Sequence, residues 1–86
     1  MLILVDKPMA ELAFRTATRA ESTESTTEIV LIQDGVLLDP PDIDTGVYAV
    51  ARDVEIRGAN PPDGVELIDY DELVEKMFEQ EVKSFV

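Results

Sequence analysis

The sequence contains no cysteine and no histidine. Without cysteine the chain cannot form a disulfide, a thiolate nucleophile, a carrier persulfide or a thiolate metal site. Without histidine it lacks the side chain that exchanges protons near neutral pH. Carboxylates, two tyrosines and seven lysines and arginines are left for chemistry. We therefore expect a protein that is not an enzyme, that carries no cofactor and no metal, and that supports a reaction carried out by partners.

Positive charge is scarce, with 7 basic against 19 acidic residues and a net charge of −12. A surface this negative repels phosphate groups, so direct binding to nucleic acid or to an anionic membrane is not expected. The segment 21–28 combines glutamate with serine and threonine and contains no lysine. This style is typical of proteins from salt-loving microbes, and an ordinary acidic protein is the alternative.

Long hydrophobic runs are missing as well, since none approaches the roughly 20 apolar residues that span a bilayer. The opening run Met1–Val5 ends at Asp6 and follows no basic segment, so it predicts a first strand and not a signal peptide. A chain of 86 residues is long enough for one domain and too short for two. We expect a single cytoplasmic domain over residues 1–86.

Four apolar, mostly β-branched runs predict strands of an α/β fold: Leu2–Val5, Ile29–Ile32, Val47–Ala51 and Val65–Ile68. The first three are unbroken and should lie centrally, whereas Glu66 interrupts the fourth and suggests an edge. The alternating segment Val82–Val86 predicts a short fifth strand on the other edge. Strands that alternate with helices predict a parallel sheet covered on both faces, which is a three-layer α/β/α architecture.

Three helical segments lie between these strands. Pro8 fits the first turn of one helix, and its apolar stripe comprises Met9, Leu12, Ala13, Thr16, Ala17 and Ala20. A short helical turn is expected over Asp53–Arg57, with Gly58 as its stop. Asp69 predicts the N-cap of the last helix, together with Glu72 three residues later. The buried face of that helix is expected to comprise Leu73, Val74, Met77 and Phe78. Loops are expected at 39–42 and 60–64.

One acidic cluster could carry chemistry. Aspartates follow four predicted strands at the same edge of the sheet, where ligands of such folds bind: Asp6, Asp34, Asp53 and Asp69. They could hold Mg²⁺ or form the pocket of a phosphate receiver. The stronger interpretation is that they cap helices, and that Asp34-Gly35 forms a turn using the permissive backbone of glycine. Tyr70 and Arg52 are interpreted as packing or interface residues.

Three stretches in register resemble the DsrH/TusB family of sulfur-relay subunits. The first is the strand from Ile29 that runs into Gln33-Asp34-Gly35-Val36. The second is Val47-Tyr48-Ala49-Val50 with Asp53 and Arg57-Gly58, and the third is Leu67-Ile68-Asp69-Tyr70 leading into the last helix. The order and spacing agree with the family pattern over nearly the whole chain.

The resemblance implies a DsrE/F/H-like fold with a five-stranded parallel sheet in the order 4-3-2-1-5. It also implies DsrE/TusD-like and DsrF/TusC-like partner subunits, of which the DsrE/TusD-like one carries the sulfur. Such complexes deliver persulfide sulfur for 2-thiouridine at the tRNA wobble position or serve sulfur oxidation. Some DsrH-type members have a cysteine on the first helix, at a position that counting places near Ala17 here. No catalytic residue carries over, and Gln33, Asp34 and Gly35 take a structural or interface role.

Two rival functions stay open at this point. One is a stand-alone homo-oligomeric binding or regulatory domain of the same fold, and the other is a Mg²⁺-dependent enzyme or receiver built on the acidic edge. We expect the chain to associate, either as a homodimer or in a hetero-complex. The apolar residues outside the clearest core stripes are candidates for burial against another subunit: Phe14, Val36, Leu37, Leu38 and Phe85.

Overall fold

The computed structural model describes residues 1–23, 27–41 and 46–86. Its five strands are β1 (Leu2–Val5), β2 (Glu28–Leu31), β3 (Val47–Val50), β4 (Val65–Ile68) and β5 (Val82–Phe85). They form one parallel sheet in the order β4-β3-β2-β1-β5. The predicted fold class, the central position of the first three strands and the two edge strands are therefore confirmed.

The central strands are buried on both faces because their side chains alternate between two cores. Odd-numbered residues such as Ile3, Ile29 and Ala49 belong to one core, and even-numbered residues such as Leu4 and Val30 to the other. Strand β1 is buried at all four positions, whereas β4 and β5 are mostly exposed or half-buried. The unbroken apolar runs were thus a correct indication of the centre of the sheet.

Helix α1 (Ala10–Thr23) packs on the first core through small side chains. Asp6 caps the short 3-10 helix Lys7–Met9 that leads into it, and Pro8 lies in that first turn as predicted. Ala13 and Ala17 are fully buried, whereas Met9 and Leu12, expected on the same face, are exposed. The alanines let the helix backbone approach the sheet closely, so the longer side chains extend past the contact.

Helix α2 (Ala51–Arg57) begins two residues before the predicted Asp53. Its N-cap, Val50, makes no capping bond with its side chain, so the sequence carries no start signal there. The predicted stop at Gly58 is confirmed, because this glycine has the left-handed φ of 59° that closes many helices. Half-buried Val54 packs the helix on the same core as α1.

Helix α3 (Tyr70–Glu79) covers the opposite face of the sheet. The Asp69 carboxylate accepts a hydrogen bond from the Glu72 amide at 2.8 Å, which confirms the predicted N-cap. Leu73 is buried, but Val74, Met77 and Phe78 are 47%, 40% and 87% exposed. The prediction that all four face the core was wrong for these three.

The core also takes in residues that were expected at a subunit interface. Val36 is 1% exposed and belongs to the first core, so that expectation was wrong for it. Phe14, Leu38 and Phe85 are half-buried against the same core, and Leu37 is 54% exposed. Val36 is buried because it belongs to the 3-10 helix Gln33–Leu37, hereafter the 33–37 turn, which is held against the end of β1.

Across 1–23, 27–41 and 46–86, no helix is long and apolar enough to cross a membrane. The loop predicted at 60–64 is present between α2 and β4. The one predicted at 39–42 is irregular up to Pro41, and its last residue, Asp42, lies outside the described residues.

Candidate functional site

Five of the motif residues meet at the carboxyl end of the sheet. The 33–37 turn follows β2 and supplies Gln33, Asp34 and Gly35, and α2 follows β3 and supplies Asp53 and Arg57. Because β2 and β3 are parallel neighbours, the segments after them emerge side by side. Two stretches of the family pattern thus form one cluster.

Asp53 is the buried centre of this cluster, with 8% of its side chain exposed. One carboxylate oxygen accepts a hydrogen bond from the backbone N–H of Gln33 at 2.9 Å, and the other lies 3.5 Å from the Arg57 guanidinium. A buried carboxylate is tolerated where charge and hydrogen bonds compensate it, and both are present here. The bond also holds Gln33 at its left-handed φ of 50°, a conformation that is costly for a residue with a side chain.

Arg57 joins the two segments from the outer side. Its Nε atom lies 2.7 Å from Asp34 Oδ1, so the guanidinium bridges the carboxylates of Asp34 and Asp53. More than half of the Asp34 side chain is exposed, so this outer ion pair contributes little stability by itself. Its effect is to fix the position of the 33–37 turn relative to α2.

Gly35 is required by close packing and not by an unusual φ. The turn expected at Asp34-Gly35 is present, but the left-handed residue in it is Gln33. A Cβ on Gly35 would collide with the Val5 carbonyl oxygen at the end of β1. That same oxygen accepts a hydrogen bond from the Ile32 amide at 3.0 Å, so the turn is held directly against β1.

The other acidic-edge residues have separate partners. Asp6 accepts a hydrogen bond from the Lys7 amide at 2.7 Å, and Asp69 caps α3. Tyr70 begins α3 with 47% of its surface exposed. Among the residues that the structure describes, no three acidic side chains converge as a metal site would require. The capping interpretation is confirmed for Asp6 and Asp69. It was wrong for Asp53, which lies inside α2 and binds the Gln33 backbone, and for Asp34, which pairs with Arg57.

A second polar cluster, which the sequence did not indicate, lies beneath α3. The Glu28 carboxylate on β2 accepts hydrogen bonds from the Lys76 ammonium group at 3.1 Å and from the side-chain amide of Gln80 at 2.7 Å. The Lys76 nitrogen also lies 4.1 Å from the centre of the Tyr48 ring, within cation–π range. Only 17% of the Glu28 side chain and 22% of the Lys76 side chain are exposed. This Glu28 cluster connects the end of α3 to the central strands.

The protonation equilibria of the Glu28 cluster reflect this burial. Burial by itself raises the pKa of Glu28, but hydrogen bonds from Gln80, Lys76 and Tyr48 outweigh it and hold the pKa below its ordinary 4.5. For Lys76, burial lowers the pKa, but the hydrogen bond to Glu28 and the charge of Glu28 raise it, and the net effect is a raised pKa. Burial and the neighbouring carboxylate together raise the pKa of Tyr48. Glu28 and Lys76 are therefore both charged at neutral pH.

The third feature is an apolar strip on the outer flank of α3, hereafter the α3 stripe, formed by Tyr70, Val74, Met77 and Phe78. The spacing i, i+4, i+7, i+8 puts these side chains on one side of the helix. The sequence pattern had assigned Val74, Met77 and Phe78 to the core, and Tyr70 had been interpreted as a packing or interface residue.

The chain was compared with protein-family models, with curated proteins and with solved structures, and none of these comparisons found a match. The resemblance to sulfur-relay subunits therefore depends on the three motif stretches themselves. What the structure supplies is the parallel sheet in the order 4-3-2-1-5 that the resemblance implied.

Proposed function

We propose that this chain is a non-catalytic subunit of a cytoplasmic sulfur-relay complex, belonging to the DsrH/TusB family. It supports a cysteine-bearing DsrE/TusD-like partner that holds the persulfide, together with a DsrF/TusC-like subunit. Transfer of sulfur toward 2-thiouridine at the tRNA wobble position is the proposed outcome. The observation that carries the proposal is the three-part motif in register, on a chain whose sheet has the implied strand order.

The side chains fit a supporting role. The chain has no cysteine to receive sulfur. Ala17, the counted position of the family's first-helix cysteine, is fully buried on α1, so an accessible carrier thiol could not stand there. Hydrogen bonds and ion pairs join Gln33, Asp34, Asp53 and Arg57 to one another, and Gly35 packs against β1. Such an arrangement suits residues that maintain a fixed surface next to a partner's reacting group.

The direct test is sulfur labelling. The chain and the DsrE-like protein of the source organism are incubated with a cysteine desulfurase and ³⁵S-cysteine. We expect label on the partner and none on this chain, since no residue here can retain persulfide sulfur. Stable protein-bound sulfur on this chain alone would contradict the supporting role. Affinity purification from source cells at native salt, with a DsrE-like protein in the eluate, is the complementary test.

The rival functions give different results. A stand-alone homo-oligomer would purify without a DsrE-like protein and give a single multiple of its own mass in native mass spectrometry. A Mg²⁺ enzyme or receiver would show saturable heat in a calorimetric titration with MgCl₂. The structure gives no specific support to the Mg²⁺ site, because no three acidic side chains converge among the residues that it describes.

A further inference from the structure

The α3 stripe is exposed although the helix itself is firmly placed. Leu73 is 7% exposed in the second core, and Lys76 and Gln80 bind Glu28 on the sheet. These anchors lie on one side of α3 and fix its rotation. Tyr70, Val74, Met77 and Phe78 consequently point away from the contact, and Phe78 is 87% exposed.

The helix that carries the stripe is mostly acidic on its polar side. Helix α3 carries four carboxylates, Asp71, Glu72, Glu75 and Glu79, and its one basic residue is Lys76. The Lys76 ammonium group forms an ion pair with the Glu28 carboxylate. Within residues 1–23, 27–41 and 46–86, no basic group lies within ion-pair distance of the four carboxylates.

This charge pattern selects between two occupants. A second copy of the chain would bring two acidic helices together, on molecules that each carry a net charge of −12. Like charges brought face to face across an interface are unfavourable, whereas opposite charges favour docking and fix its register. Exposed apolar side chains next to charged residues are typical of docking surfaces.

We propose that the α3 stripe docks a different protein, whose surface presents an apolar patch bordered by lysine and arginine. The inference rests on the proposed function and deepens it, because the occupant is then the DsrE-like or DsrF-like subunit of the relay complex. Phe78 is its central anchor, as large exposed aromatic side chains dominate binding energy in many interfaces.

The experiment measures binding of the purified chain to the DsrE-like and DsrF-like proteins of the source organism, by calorimetry in about 0.15 M and about 2 M KCl. The test variant is V74S/F78S, and the matched control is I56S, which removes an apolar side chain 66% exposed on α2, on the other face of the sheet. A second variant, E75K/E79K, reverses two charges beside the stripe. Thermal melts confirm that each variant is folded.

We expect V74S/F78S to raise the Kd at least about tenfold, which corresponds to about 1.4 kcal/mol. I56S should leave the Kd within about twofold, because it lies outside the proposed surface. E75K/E79K should also weaken binding, and the wild-type affinity should fall at the higher salt as border charges are screened.

The failures are distinguishable. If the wild type binds and V74S/F78S binds equally well, the relay function stands and the docking surface is wrong. If the wild type binds neither subunit, the proposed function fails and the inference falls with it. If the chain alone sediments as a dimer that V74S/F78S dissociates and E75K/E79K strengthens, the occupant is a second copy and the proposed partner chemistry is overturned.

Discussion

At the scale of single residues, the motif at the end of β2 is explained by steric and hydrogen-bonding requirements of the fold. Gln33 adopts a left-handed conformation, its amide is held by Asp53, and Gly35 lies against the carbonyl of Val5. Such requirements operate whatever the function. They can account for the motif without any reactive group in it.

Substitution of Gly35 by alanine is expected to destabilise the protein by about 1–3 kcal/mol, because the new methyl group would overlap backbone that has no room to move. Chemical denaturation of the variant and the wild type gives the difference in unfolding free energy. Gly58→Ala is the control, since it meets open space and carries only the left-handed penalty of about 1 kcal/mol. A Gly35 variant as stable as the wild type would contradict the close packing.

The sequence could indicate part of this cluster and not the rest. Asp34-Gly35 predicted a turn, and Asp69 and Glu72 predicted a cap, because those signals lie within a few residues of one another. The bond between Asp53 and Gln33 joins residues 20 apart and depends on β2 and β3 being neighbours. No local pattern carries that information.

At the scale of elements, the least expected arrangement is that of α3. Periodicity alone assigns four apolar residues of this helix to the core: Leu73, Val74, Met77 and Phe78. One edge, Leu73, meets the sheet, and the Glu28 cluster occupies the rest of the contact. The strands were easier to predict, because a run that is apolar at every position, such as Leu2–Val5, is expected to be buried on both faces.

The two sides of α3 should respond differently to truncation. Leu73→Ala is expected to cost about 2–4 kcal/mol of unfolding free energy, because it leaves a cavity beneath the helix. Phe78→Ser should change it by no more than about 0.5 kcal/mol, because the ring is already 87% exposed. Urea denaturation of the isolated chain measures both values. A large loss for Phe78→Ser would mean that the ring packs against the rest of the chain.

The Glu28 cluster predicts a pH-dependent difference between Glu28→Gln and the wild type. The pKa of Glu28 is lowered in the folded state, so its contribution is full above its unfolded pKa, near 4.5, and is lost as the pH falls through the folded pKa. At pH 7 the variant should be less stable by about 1–2 kcal/mol. Below about pH 4.5 the difference in unfolding free energy between the variant and the wild type should narrow.

Denaturation at constant ionic strength across this pH range checks the prediction. The exposed Glu79→Gln removes the same charge without the buried contacts, so it serves as the control. A gap that stays constant with pH would show that ionised Glu28 does not stabilise the contact between α3 and the sheet.

At the scale of the whole molecule, charge dominates. A net charge of −12 is spread over a chain with a radius of gyration of 11.6 Å, so carboxylates repel one another across the domain. At about 0.01 M salt the Debye length is about 30 Å, and at about 1 M it is about 3 Å. Self-repulsion is therefore strong in dilute buffer and nearly absent in molar salt.

We expect the melting temperature to rise substantially between about 0.05 M and about 2 M KCl, because screening removes repulsion that favours the expanded state. Scanning calorimetry over this range measures the effect. A modest decrease of pH toward the sequence pI of about 4.1 should at first act in the same direction. A melting temperature that stays flat with salt would remove the physical basis for the halophilic interpretation.

The position of β1 has a consequence for the order in which the protein can fold during synthesis. Strand β1 is made before the other four strands, yet it lies between β2 and β5, and Leu2 pairs with Val82. Strand β1, which is apolar at all four positions, is therefore an unpaired edge until the more polar β5 has been made. Open edges invite pairing with other chains. Pairing of β1 on this side thus depends on β5, and a chain that stops before residue 82 would expose an aggregation-prone apolar strand.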